Sequence, residues 1–193
     1  MFKLQLRYLS FFLGLISILS FFNIIYSYYL NWYLNIDTYY FSLIISLFLG
    51  VLFYKINKIN NKQSIFDKIL TVFFGYILIP LILSIPFYFS IYNLTFLDSY
   101  FEAISGFTST GFSIFENIKN IDQSLILWRS SSQWIGGLYF LFSIIFLIDI
   151  YDENFKKTLT NFISFDSSEA FKQAFKIFLL YSVLTLIIFV TLN

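Results

Sequence analysis

Thr108, Ser109, Thr110 and Gly111 lie together in the stretch "FEAISGFTSTGFS", Phe101–Ser113. Their side chains are weak nucleophiles with no base beside them. Their backbone offers a different chemistry. Carbonyl oxygens of an extended segment can replace the hydration shell of a small cation. Gly111 accepts φ > 0, which lets successive carbonyls turn towards one axis. Two charges flank the stretch, Glu102 and Arg129. A carboxylate inside an apolar segment is a functional candidate by default. Glu102 either bonds backbone behind the loop or pairs with Arg129, in preference to meeting an ion directly. Arg129 either snorkels to the membrane surface or holds Glu102 or the loop.

Other chemistries find little support. The chain has no Cys and no His, which removes thiol chemistry, histidine acid–base catalysis and most zinc sites. Asp149, Asp152 and Glu153 form an acidic cluster, but they adjoin Lys156 and Lys157 and read as a solvated, self-neutralised loop. No enzyme activity, catalytic residue or cofactor is expected. A net charge of +1 gives no reason to expect a nucleic-acid partner.

The elements that hold these residues are apolar. Of 193 residues, 59% are hydrophobic, 24% aromatic and 12% charged. Mean hydropathy is +0.78. Soluble domains carry about 25% charged residues. Half that fraction points to an all-α integral membrane protein. Five apolar segments are predicted: Tyr8–Leu30, Tyr39–Tyr54, Ile69–Ile91, Ser124–Ile148 and about Ala174–Leu192. Most approach the ~20 residues that cross a ~30 Å hydrocarbon core, and the second is short. The first follows Lys3 and Arg7, as a signal peptide would. It exceeds a typical h-region and lacks a small-residue cleavage site, so a retained helix is expected. Trp32, Tyr33, Tyr39, Tyr40, Tyr54, Tyr92 and Tyr151 lie near segment ends, as in an aromatic belt.

Basic residues set the orientation. Lys3 and Arg7 precede the first segment. Lys55, Lys58, Lys62 and Lys68 follow the second, and Lys156, Lys157, Lys172 and Lys176 follow the fourth. Ten of the twelve Lys and Arg therefore fall on one side, which the positive-inside rule makes cytoplasmic. The N-terminus is expected inside and Tyr92–Gln123 outside. The Lys55–Lys68 stretch is expected to meet anionic headgroups.

That outer connection is apolar in its first half. Thr95 followed by Asp98 resembles a capping box. Phe96, Leu97, Tyr100, Phe101 and Ile104 recur at helical spacing, and Gly106 marks the predicted end. About 11 residues give roughly 16 Å, half a membrane. Irregular backbone at membrane depth is tolerated only against protein or a wet cavity, which suits Thr108–Gly111. Asp122 is the expected N-cap of the helix that follows. In that helix Gly136 and Gly137 provide close packing or a hinge. Pro80 and Pro86 are expected to kink the third segment. Helix, short re-entrant helix, carbonyl loop and helix together read as the unit of a potassium-channel-like pore, the alternative being a surface half-helix that ends in a Gly-rich turn.

"FEAISGFTSTGFS" followed by "LWRSSSQWIGG", Leu127–Gly137, resembles the Trk/Ktr/HKT family of potassium uptake proteins, in particular its TrkH-type members. The resemblance covers roughly residues 69–150. It implies a selectivity filter at Thr108, Ser109, Thr110 and Gly111, whose backbone carbonyls bind potassium, the transported ion. Glu102, Gly106 and Arg129 would support that filter. It also implies four such repeats around one axis, a homodimer of the full-length protein, a cytoplasmic nucleotide-binding regulatory subunit and a place in the cytoplasmic (inner) membrane.

The expected organisation is an N-terminal transmembrane helix pair at 1–60 and a first helix–pore loop–helix repeat at 61–150. A cytoplasmic loop and the first helix of a second repeat follow at 151–193. One repeat cannot ring an ion, so the chain is expected to be a fragment of a potassium transporter whose further pore repeats lie elsewhere. A non-conducting pore-loop scaffold or accessory subunit is the alternative.

Overall fold

The computed structural model describes residues 4–56, 65–117, 121–148 and 167–192. Among these the chain is all helical: α1 Leu6–Tyr29, α2 Ile36–Ile56, α3 Ile65–Leu83, α4 Ile85–Tyr88, α5 Phe96–Phe107, α6 Gln123–Ile148 and α7 Ser167–Leu192. Among the described residues four stretches are long and apolar enough to cross a membrane: Leu6–Tyr29, Ile36–Ile56, Phe66–Tyr88 and Gln123–Leu147. Lys58, Lys62, Lys119, Asp149, Asp152, Glu153, Lys156 and Lys157 lie outside the described residues.

The chain divides into two compact units, Met1–Gly137 and Leu138–Asn193. In the first, α1 and α2 form an antiparallel hairpin. The turn between them follows from Asn31, which adopts φ 59° and lets the Trp32 amide bond the Ser27 carbonyl at 2.8 Å. Asn is one of the few residues that tolerate this left-handed cap. The buried face of α1 carries Leu9, Phe12, Leu13, Ile16, Ser20, Asn23, Ile24 and Ser27, at helical spacing. On α2, Ser42, Ser46 and Gly50 recur every four residues on the buried side. Small residues in that pattern let two helix backbones approach without a hydrophobic driving force. Ser20 donates to Ser42 at 3.2 Å across the pair. The outer faces expose Phe22, Ile25, Ile44 and Phe48, which suits lipid rather than water.

Three boundaries differ from the sequence reading. α2 runs from Ile36 to Ile56, not Tyr39 to Tyr54. Asp37 in its first turn and Lys55 in its last complement the helix dipole, so the polar ends belong to the helix. Lys68, assigned by its charge to a loop, lies inside α3 and is buried. The third segment is interrupted at Pro86, as expected, but not at Pro80: α3 runs through Pro80 to Leu83, and α4 restarts at Ile85 with Pro86 in its first turn. Pro86 has no amide hydrogen to continue the ladder. The Trp128 indole donates to the Leu83 carbonyl at this break, 3.0 Å away.

The second unit holds the remainder of α6 and α7. Phe142 packs edge-on against Phe171, with ring centroids 4.8 Å apart, and against Phe175.

Candidate functional site

α5 begins at a side-chain cap. Thr95 Oγ1 accepts from the Asp98 amide at 3.2 Å and donates to the Asp98 carboxylate at 2.6 Å. The helix has 12 residues, about 18 Å at 1.5 Å each. Its inner face, Ser99, Glu102, Ala103, Ser105, Gly106 and Phe107, is buried, whereas Phe96, Leu97 and Phe101 are exposed.

Gly106 does not end α5. It lies within the last turn, and the helix stops at Phe107 with Thr108 as C-cap. Left-handed backbone appears later, at Ser109 (φ 56°) and Gly111 (φ 80°). Gly106 serves close packing instead: a β-carbon there would stand 3.3 Å from Ser132 Cβ and 3.6 Å from the Arg129 carbonyl. Gly136 makes a closer approach. A β-carbon on it would overlap the carbonyl of Phe107, so only glycine admits the end of α5 at this point of α6. Gly137 follows in the same helix and is partly exposed.

The loop after α5 is tied inward. Ser105 Oγ donates to the Phe112 carbonyl at 2.6 Å, and the Thr110 amide donates to the Ser105 carbonyl at 3.1 Å. Thr110 Oγ1 adds a bond to Ser105 Oγ at 3.1 Å. Behind the loop, Glu102 and Arg129 form an ion pair with Nη1–Oε2 of 2.6 Å. Glu102 is fully buried and Arg129 nearly so. The other Glu102 oxygen accepts from Ser113 Oγ and the Ile114 amide. Arg129 Nη1 also donates to Ser113 Oγ, and Nη2 donates to the carbonyls of Phe112 (2.8 Å) and Gly111 (3.3 Å). The planar guanidinium fork thus fixes one carboxylate, one hydroxyl and two carbonyls at once, a geometry lysine cannot copy.

Thr108, Ser109 and Thr110 are exposed, and among the described residues their three carbonyls receive no hydrogen bond. They follow directly on the C-terminus of α5, where the helix dipole favours a cation.

A second polar cluster, missed in the sequence, anchors the far side of the loop. Asp122 occupies the N-cap position of α6, and its backbone carbonyl accepts from the Leu125 and Ile126 amides. Its carboxylate accepts from Asn35 Nδ2 at 2.9 Å and from Ser124 Oγ, while its amide donates to the Tyr92 hydroxyl. Asn35 Oδ1 accepts from the Ile91 amide, and Tyr39 and Ser124 share a 2.8 Å hydroxyl bond. Asn35 is 87 positions from Asp122, and no local pattern signals such a pairing.

The described residues thus combine four helical stretches long and apolar enough to cross a membrane with a 12-residue helix that leads into an exposed loop held from behind by Arg129. The comparisons with known proteins agree. Residues 35–192 match the family model for TrkH, cation transport protein, and the chain belongs to that family. An uncharacterized cation transporter of Methanocaldococcus jannaschii is 26% identical over 127 residues, 65% of this chain and 27% of the relative. The Trk system potassium uptake protein TrkG of Escherichia coli is 30% identical over 90 residues, 46% of this chain and 19% of the relative. TrkH of the same organism is 36% identical over 56 residues, 28% of this chain and 12% of the relative. The chain thus spans about a quarter or less of the relatives it matches.

Proposed function

We propose that this chain supplies one pore repeat of a potassium uptake protein of the cytoplasmic membrane. α3–α4, α5 and α6 form the repeat, with α5 as re-entrant pore helix. α1 and α2 precede it, and α7 is the first helix of a second repeat. The N-terminus is cytoplasmic and the 92–123 connection external. The observation that carries this reading is the row of exposed carbonyls at Thr108–Thr110, which accept no hydrogen bond among the described residues, in a loop that Arg129, paired with Glu102, fastens at Gly111 and Phe112. These three carbonyls are the main ion ligands. Gly111 provides the turn, and its carbonyl is shared with Arg129.

One such loop forms one wall. Further repeats around a common axis complete the ring, supplied by additional chain. The resemblance to the family supports a homodimer of the complete protein and a cytoplasmic nucleotide-binding regulatory subunit. Cells lacking other potassium uptake test the proposal. A transporter containing this chain with its further repeats should restore growth in low potassium. Replacing residues 108–111 by a proline-containing loop of equal length should abolish uptake without removing the protein from the membrane. Undiminished uptake would contradict the proposal.

A further inference from the structure

We propose that the groove between α1 and α2 is a binding site for an anionic phospholipid. Its volume is about 500 Å³, within the roughly 300–1,000 Å³ of ligand clefts. The walls are apolar: Phe11, Ile18, Leu47 and Val51, all exposed at the protein surface. Glycines make the space. A β-carbon on Gly14 would meet nothing within 4 Å, while Gly50 lies against the backbone of α1 at Ser10 and Gly14.

One end of the groove is cationic. Arg7 lines it, with its guanidinium 5.2 Å from the centre of the Tyr54 ring, and exposed Lys55 follows Tyr54. No carboxylate is among the lining residues, and no ion pair involves Arg7 among the described residues. Arg7 also stands in the first turn of α1, where the helix dipole favours an anion.

The dimensions choose the occupant. Arg7 to Ile18 spans about 16 Å along α1, the depth of one leaflet of a ~30 Å hydrocarbon core. A flexible acyl chain fits, with its phosphate at Arg7. This inference is independent of whether the loop at 108–111 conducts.

The test uses the 193-residue chain in phosphatidylcholine vesicles, with trace spin-labelled phosphatidylglycerol or phosphatidylcholine. Electron paramagnetic resonance reads the immobilised fraction of each. Phosphatidylglycerol should be retained over phosphatidylcholine, and Arg7→Gln should cut that preference about five-fold, the contribution of roughly one cation near a membrane surface. Gly14→Leu, whose β-carbon meets no atom within 4 Å, should insert into the membrane like the native chain and lower retention of both lipids. Equal retention of the two lipids overturns the site. So does phosphatidylglycerol retention that Gly14→Leu leaves unchanged, which would assign the effect to general surface charge. Disulfide crosslinking of Gly14→Cys chains in the membrane would give the groove to a second protein copy and also overturn it.

Discussion

Arg129 Nη1 and Glu102 Oε2 are 2.6 Å apart inside the first unit, and the same guanidinium reaches the carbonyls of Gly111 and Phe112. The pair therefore links α5, the loop and α6 in one contact set. Removing either partner leaves a buried charge, at about 3–5 kcal/mol. Arg129→Ala and Glu102→Ala should each lower stability by that order in equilibrium unfolding in mixed micelles. The double variant Glu102→Leu/Arg129→Met should lose less than the two single losses added. Arg129→Lys should behave like Arg129→Ala rather than like the native chain, because an ammonium cannot span four acceptors. Additive losses would contradict the coupling.

Gly136 gives a second prediction. Gly136→Ala must displace the backbone at Phe107, not a flexible side chain. Overpacking costs about 1–3 kcal/mol where side chains can yield, and this site should reach or exceed the upper end. Gly14→Ala, whose β-carbon meets nothing inside α1, is the control and should stabilise by about 0.5–1 kcal/mol. Thermal inactivation in detergent compares them. Equal behaviour would contradict the close approach of α5 and α6.

The sequence makes the long apolar helices legible, since their residue types are nearly uniform along each span. The Thr95–Asp98 cap and the length of α5 follow from local spacing, whereas the cost of an unpaired charge narrows the partners of Glu102 to backbone or Arg129 without choosing between them. Other features rest on contacts distant in sequence. Gly106 looks like a helix stop, but the left-handed residues are Ser109 and Gly111. What the glycine does is set by Ser132, 26 positions later. Gly136 is ambiguous between hinge and packing until Phe107 is placed beside it. The Asn35–Asp122–Ser124 cluster has no sequence period at all.

Topology can be checked directly. The chain lacks cysteine, so single cysteines report cleanly. Glu116→Cys and Lys55→Cys, both at exposed positions, should differ in intact cells treated with a membrane-impermeant thiol reagent. Position 116 should label and position 55 should label only after lysis. The reverse pattern would invert the orientation.

The central claim is that the loop from Thr108 to Gly111 selects the ion. Gly111 has φ 80°, and a β-carbon there would meet no atom within 4 Å, so the cost of Gly111→Ser in this chain is chiefly conformational. Holding an L-residue left-handed costs roughly 1–2 kcal/mol. The loop should relieve that strain by turning its carbonyls, and selectivity depends on their number and direction. The decisive measurement is the K⁺/Na⁺ uptake ratio of the transporter containing this chain and its further repeats, native against Gly111→Ser, normalised to protein in the membrane. The ratio should fall several-fold while the amount of inserted protein changes little. A ratio unchanged by the substitution would remove the loop from the ion path.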